Sequence, residues 1–305
     1  MTISAPLPTR RAVIASGLAA VGTLAAPGLL RAAPMVPELT VFGPPAGPSI
    51  TLAHAVATGA FAEIAGMATF KAWRDPDELR AGLTSGSMQV VILPANAAAN
   101  LYNKGFELGM VNAMTGGLNF VSTTDPAINT AADLAGRTIA LPFRNDTPDI
   151  LLRRILAEAG LSEADVTIVP AATPIEAVQL LLTGRAETAV LPEPATTMAE
   201  MRALQAGQQI RRAIDIQAGW GKITGLGPMV PQAGLAVTRA FDTANPGVVE
   251  ALQAAIVATL PVVIAEPEAA AASATEALGM PAPILAKSIA TSALIATPAS
   301  EIRPA

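Results

Sequence analysis

The chain contains no cysteine, one histidine at position 54, and few aromatic side chains: seven Phe, two Trp and one Tyr. Without Cys there is no thiol nucleophile, no disulfide, no thiolate zinc site and no lipid-modified amino-terminal Cys. With one His, a two-His metal site is impossible and a Ser/His/Asp triad has a single available base. The aromatic set is too small for base-stacking platforms or the aromatic walls of sugar clefts. Charge is scarce as well. Only 14% of residues are Asp, Glu, Lys or Arg, the formal net charge is −5, and basic residues do not cluster beyond pairs such as Arg153 and Arg154, so no nucleic-acid partner is expected. What is abundant is apolar: 51% of 305 residues are hydrophobic, enough to offset chain entropy and fill one large domain or two ordinary ones. No carboxylate pair, metal-ligand spacing or Gly-rich phosphate loop supplies a catalytic mechanism, so neither an enzyme nor a cofactor nor a metal site is expected.

Arg10 and Arg11 stand before Ala12–Leu30, an uncharged stretch of Ala, Gly and Leu broken by Pro27. This is a twin-arginine export pattern, and its Gly, Ser, Thr and Pro content makes it weakly hydrophobic for a membrane span. Small Ala32 and Ala33 supply a cleavage site, with cutting expected before Ala33. Residues 1–32 are therefore read as a removed signal peptide. Their loss takes away three arginines and no acid, which leaves the mature chain more acidic still.

Residues 40–99 are repeated in 138–197 at a constant offset of 98. Thr40, Val41 and Phe42 correspond to Thr138, Ile139 and Ala140, and Thr69 corresponds to Thr167. Asp75, Pro76 and Glu78 correspond to Thr173, Pro174 and Glu176, a capping box with Pro at the first helical position in each copy. Each helix then stops at a Gly, 86 or 184, before a strand ending Leu93–Pro94 or Leu191–Pro192. Strands alternating with helices argue for parallel sheets built from βα units. The expected fold is α/β with two lobes, each a mostly parallel sheet flanked by helices, joined by two hinge strands. The expected boundaries are residues 33–120 for the first part of lobe 1, 121–232 for lobe 2, and 233–305 for the return to lobe 1. Leu108–Thr124 is read as one crossing strand, Gln208–Pro231 as loop-rich, Gly234–Thr238 as the returning strand, and Asn245–Thr297 as helices packed on lobe 1.

Ligands in open parallel sheets bind beyond the carboxyl ends of the strands. The repeat pairs three sets of such loops, Pro44–Ser49 with Pro142–Thr147, Trp73–Asp75 with Ala171–Thr173, and Pro94–Asn96 with Pro192–Pro194, which carry the candidates Pro45, Gly47, Ser49, Arg144, Asn145, Thr147, Trp73, Asn96 and Glu193. Ser49 and Thr147 are candidate N-caps whose helices would point free amides at an anionic or carbonyl oxygen. Arg144 could grip a carboxylate or sulfonate in two parallel bonds, or lie solvated on the surface. Glu193, held between Pro192 and Pro194, could read an amine or ring amino group across from Asn96, or form an ion pair between lobes. Trp73 could lay its indole on a ligand or simply end its strand in the core. Thr115, at the Thr115–Gly116–Gly117 break, completes the candidate set, and His54 is read as a packed helix residue.

The export signal, the two lobes, the segment Asp133–Ala140 and the strand end Leu191–Pro192–Glu193–Pro194 together resemble the periplasmic substrate-binding proteins of ABC importers, in the group that binds nitrate, sulfonates, taurine and thiamine precursors. The resemblance covers about Glu38 to Thr297. It implies a clamshell that captures a small polar organic or anionic ligand without catalysis, works as a freely diffusing periplasmic monomer, and delivers to a permease and its ATPase. A subunit serving a membrane sensor is the alternative implied by the same fold. An enzyme on this fold, such as a porphyrin-pathway deaminase, fits poorly with the missing Cys, and a transferrin-like carrier fits poorly with one Tyr and one His. The ligand stays open among a sulfonate, nitrate, a taurine-like zwitterion and an aminopyrimidine.

Overall fold

The computed structural model describes residues 33–302, so the expected signal segment 1–32 lies outside the described residues. The first βα units are β1 (Val36–Gly43), α1 (Gly47–Ala57), β2 (Ala65–Ala72), α2 (Pro76–Ser85), β3 (Val90–Pro94) and α3 (Ala95–Asn103). Three short strands follow: β4 (Leu108–Met110), β5 (Asn112–Thr115) and β6 (Asn119–Thr123). The second set is β7 (Thr138–Pro142), α4 (Thr147–Glu158), β8 (Thr167–Ala171), α5 (Pro174–Leu182), β9 (Thr188–Pro192), α6 (Ala195–Gln205), β10 (Arg211–Asp215) and α7 (Ile216–Thr224). The chain then runs β11 (Ala233–Thr238), α8 (Arg239–Ala244), α9 (Val248–Ala265), α10 (Pro267–Leu278), α11 (Ala282–Ile289), β12 (Leu294–Pro298) and α12 (Ala299–Ile302).

The two five-stranded sheets share one plan. The first has the order β2-β1-β3-β11-β4 and the second, read from its other edge, β8-β7-β9-β6-β10. In each, the first three strands are parallel and the fourth, β11 or β6, runs antiparallel to its neighbours on both sides. The register carries the same offset: Thr40 pairs with Thr69 and Val41 with Val90, while Thr138 pairs with Thr167 and Ile139 with Thr188. Strand β6 enters the second sheet after β4 and β5 and before the second set of units, and β11 enters the first sheet directly after the second set. Each lobe therefore holds a strand beside its β3 or β9 that arrives from the other part of the chain.

The caps repeat as well. Asp75 accepts from the amides of Asp77 and Glu78, and Thr173 accepts from that of Glu176. Glu78 and Glu176 reach back to the amides of Arg74 and Ala172, one residue before the caps. These pairs satisfy helix-end donors locally, which is why this part of the fold is written in short sequence.

Three expectations change. Leu108–Thr124 is not one strand: β4 lies in the first sheet, β5 pairs with β12 in a two-stranded ribbon, and β6 lies in the second sheet. The break comes at Gly117, whose φ of 136° is closed to other residues and whose Cβ, if present, would meet the Gln217 side chain at 1.9 Å. Gln208–Pro231 is not simply loop, because β10 pairs with β6 and α7 follows it, capped by Asp215 on the Ala218 amide and stopped at Gly225 with φ 71°. Asn245–Thr297 is helical only as far as Ile289. Helices α9, α10 and α11 pack with α1 in one core containing Leu52, Leu252, Ile256, Ala274 and Leu285. Although α9 is long and apolar enough by composition to cross a membrane, its Val248, Leu252, Ile256, Thr259 and Val263 are buried in the protein.

Candidate ligand-binding cleft

The carboxyl ends of β1, β2 and β3 meet those of β7, β8 and β9 across one cleft. Its inner part encloses about 630 Å³ of empty space, some of it open to solvent. The walls come from both lobes: Pro45, Trp73 and Pro94 on one side, and Phe143, Pro174 and Pro192 on the other. Leu118 and Gln232, which precede the exchanged strands β6 and β11, also line it. Prolines are frequent here because their fixed φ suits the loops into α1, α2, α4 and α5, where a missing amide costs nothing.

Direct bonds join the lobes across the cleft. The Asn96 Nδ2 donates to Asp146 Oδ1 at 2.8 Å, and the Thr147 hydroxyl donates to Asn96 Oδ1 at 2.6 Å. The Gly47 amide donates to the Glu193 carbonyl at 3.2 Å, and the Thr291 hydroxyl donates to Glu193 Oε1 at 2.7 Å. The lobes are thus in contact, and the cleft is a closed one.

Of the residues singled out from sequence, Pro45, Trp73, Asn96, Arg144, Asn145 and Thr147 line the cleft or its outer mouth. The Trp73 ring is fixed by its Nε1–H bond to the Ile92 carbonyl and is 3% exposed, so it both ends its strand in a core and borders the cleft. Arg144 reaches Glu163 at 2.6 Å and Asp149 at 3.5 Å, so its charge is met by carboxylates rather than left for a ligand. Asp149 also holds Arg153, and although burial pushes the other way, the bonds from Arg153 and the Asn145 amide and the charge of Arg144 keep its carboxyl below the ordinary value.

Gly47, Ser49, Thr115 and Glu193 do not line it. Gly47 is packed on Ser292, whose Oγ would lie 2.5 Å from an added Cβ. Thr115 is buried, donating to the Ser292 carbonyl and accepting from the Gly117 amide. Ser49 is not an N-cap: α1 begins at Gly47 with Ala46 as cap, which places the Ser49 hydroxyl inside the lobe, fully buried and without a hydrogen-bond partner. Thr147 is not the cap of α4 either, since Asp146 takes that place and accepts from the Thr147 amide at 2.7 Å. Asp preceding Thr147–Pro148 was the signal for this, because Asp caps at least as well as Thr.

Glu193 is the largest correction. It faces neither the open cleft nor Asn96; it is fully buried behind the end of β9. A carboxylate taken out of water needs partners, and Glu193 gathers Arg212 at 2.6 Å, Thr291 and the Thr197 amide at 3.1 Å. Arg212 lies 5.2 Å from the centre of the Phe120 ring and 3.4 Å from Glu200, whose carboxyl burial pushes up from its ordinary value. The loop expected to line the cleft includes Phe143 and Asp146, neither singled out from sequence, and Gln232 was missed. Among the described residues no group of His, Asp and Glu is arranged to hold a metal.

A family model described as NMT1/THI5 like matches residues 76–270. The periplasmic aliphatic sulphonate-binding protein SsuA from Escherichia coli shares the fold with a TM-score of 0.68 at 17% identity, over 85% of each chain. An ABC transporter structure from Parabacteroides distasonis gives 0.70 at 23% identity, over 88% of each chain. The periplasmic nitrate-binding protein NrtA from Synechocystis PCC 6803 gives 0.65 at 16% identity, over 84% of this chain and 71% of that one. No curated protein sequence matches the chain. At these identities the structural likeness is one of fold, a two-lobed α/β architecture. With the family model matching more than half of its length, the chain belongs to the NMT1/THI5-like family.

Proposed function

We propose that this protein is the periplasmic solute-binding component of an ABC importer, closing on a small polar organic solute and presenting the closed form to a permease and its ATPase. The observation that carries this reading is the cleft itself, walled by matching strand ends of two repeated lobes and bridged by Asn96 to Asp146 and Thr147. A ligand touching both walls stabilises the closed arrangement because the open one offers only half the contacts. Pro45, Trp73, Asn96, Arg144, Asn145 and Thr147 are the proposed contact region, with lobe 1 formed by residues 33–120 and 233–305 and lobe 2 by 121–232.

Mass spectrometry of small molecules released from natively purified protein tests the reading, together with small-angle scattering before and after ligand removal. A bound solute and a larger radius of gyration after stripping are expected; no solute and no change of shape would sink the proposal. Export through the twin-arginine pathway is part of the same reading and rests on Arg10 and Arg11. Changing both to Lys is expected to leave folded precursor in the cytoplasm, because Lys lacks guanidinium geometry; undiminished periplasmic yield would remove that pathway from the proposal.

A further inference from the structure

His54 is the one histidine of the chain and stands in the last turn of α1, away from the cleft that the start of that helix meets. It is 6% exposed, and its Nδ1 lies 2.8 Å from the Ser273 hydroxyl of α10. Ser273 spends its single proton on the Ala270 carbonyl, also at 2.8 Å, so the hydrogen between the two side chains belongs to the imidazole. A neutral ring carries one N–H, and with that hydrogen on Nδ1 the other nitrogen, Nε2, keeps a bare lone pair. Nε2 has no partner among the described residues and is not sealed in; it opens on a groove between α1 and α9.

The groove holds about 740 Å³ of empty space, much of it open to solvent, and shares no residue with the cleft. No charged side chain lines it. Its wall on α9 is apolar, formed by Ala255, Ala258 and Val262, and the last two are exposed to water, so covering them is favourable. The donors beside that wall are spent. The Thr58 hydroxyl bonds the His54 carbonyl at 2.8 Å, the Thr259 hydroxyl bonds the Ala255 carbonyl at 2.7 Å, and the amides of Thr58 and Ala60 bond the carbonyls of His54 and Ala55. What remains on offer is three acceptors, Nε2 and the two hydroxyl oxygens, next to apolar surface. Thr259, like His54, is more than nine-tenths buried, so two polar side chains are held in place at the base of the groove.

We infer that this groove is a second binding site, separate from the cleft, for a small neutral molecule of the phenol class, a compact apolar ring carrying one O–H, and that His54 Nε2 accepts the hydrogen bond from that O–H. The ring covers Ala255, Ala258 and Val262. An anion would meet only lone pairs, and a cation would find no carboxylate in the lining, so charge of either sign is disfavoured. The site stands whether or not the cleft binds a solute.

Because the chain has one histidine, an untagged mature protein labelled with 15N-histidine gives a single pair of imidazole nitrogen signals. At about pH 8, where an ordinary imidazole is neutral, these are expected to show the hydrogen on Nδ1. Titrated phenol is expected to move the Nε2 signal saturably, and anisole, which keeps the ring and lacks the O–H, to bind roughly five-fold more weakly. Ala258→Phe alters an exposed position on the apolar wall and fills the groove without touching the Nδ1 bond; it is expected to abolish the phenol-dependent shift and leave the melting curve in place. A hydrogen found on Nε2, an Nε2 signal that phenol does not move, anisole bound as tightly as phenol, or unchanged phenol affinity in folded Ala258→Phe each overturns the inference. Should Ala258→Phe fail to fold, the phenol and anisole titrations of the unaltered protein decide.

Discussion

Glu193 carries its charge where water does not reach, and the side chains that meet it come from far apart in the sequence: Arg212 from β10 and Thr291 from the turn after α11. Changing Glu193 to Gln keeps the shape but leaves the Arg212 guanidinium with Glu200 as its remaining carboxylate. A loss of about 2 kcal/mol is expected in urea unfolding, the size of a charge-assisted hydrogen bond; an unchanged midpoint would mean that the network contributes nothing. Asp149 makes a pH-dependent contribution of the same kind. Its carboxyl lies below the ordinary value in the folded protein, so its stabilisation is fully present above the unfolded carboxylate value of about 3.9 and is lost as pH falls through the lower, folded one. Asp149→Asn is therefore expected to cost about 2 kcal/mol at pH 7 and progressively less in acid below pH 4, so parallel stability curves for the two proteins across that range would refute it. Asp149 is held by near neighbours, Arg153 four residues on and the Asn145 amide four before, whereas the role of Glu193 is not readable from local sequence. The prolines around Glu193 reveal stiffness, but the direction of its side chain depends on Arg212 and Thr291, whose nearness is a product of folding.

At the scale of elements, the caps and stops are local and the strand exchanges are not. Asp75 bonds two amides of its own helix, and Asp75→Ala is expected to cost about 1 kcal/mol in chemical denaturation; a change below a few tenths would show that Glu78 and Pro76 hold the start of α2 without it. Such signals repeat at Thr173, Pro174 and Glu176, which is why β1 to β3 and β7 to β9 with their helices were legible. By contrast the partners of β4, β5, β6 and β10 lie in strands distant in the chain, which no local pattern announces. The starts of α1 and α4 show the limit of cap reading. Whether Ala46 or Ser49, and Asp146 or Thr147, begins the helix depends on how the loop leaves the sheet, and an error of one to three residues moves a hydroxyl from the cleft to the core.

For the whole molecule, the decisive geometry is the contact between lobes. Asn96 is the one side chain that both donates to Asp146 and accepts from Thr147, so it couples the start of α3 in one lobe to the start of α4 in the other. Removing it leaves Asp146 and the Thr147 hydroxyl without those partners, and the closed arrangement loses two bonds of roughly 1 kcal/mol each. Asn96→Ala is expected to shift the ligand-free protein toward open forms, read as a larger radius of gyration, with little change in the melting of either lobe. An identical scattering profile would show that the lobes are held by their apolar contacts, such as Met198 of α6 in the core around α1, and not by this bridge.

The sequence by itself determined the α/β class, the duplication at an offset of 98, and the cleft at the facing strand ends, because each rests on caps, stops and strand patterns that act within a few residues. The tertiary structure alone decided which polar side chains that cleft exposes. Glu193 and Asp146 are both acids in loops at strand ends, and one is buried among Arg212, Thr291 and Thr197 while the other stays half-buried among proline rings. The physical reason is desolvation: a carboxylate goes inside only where distant segments bring enough donors to replace water, and that supply is set by how the lobes meet.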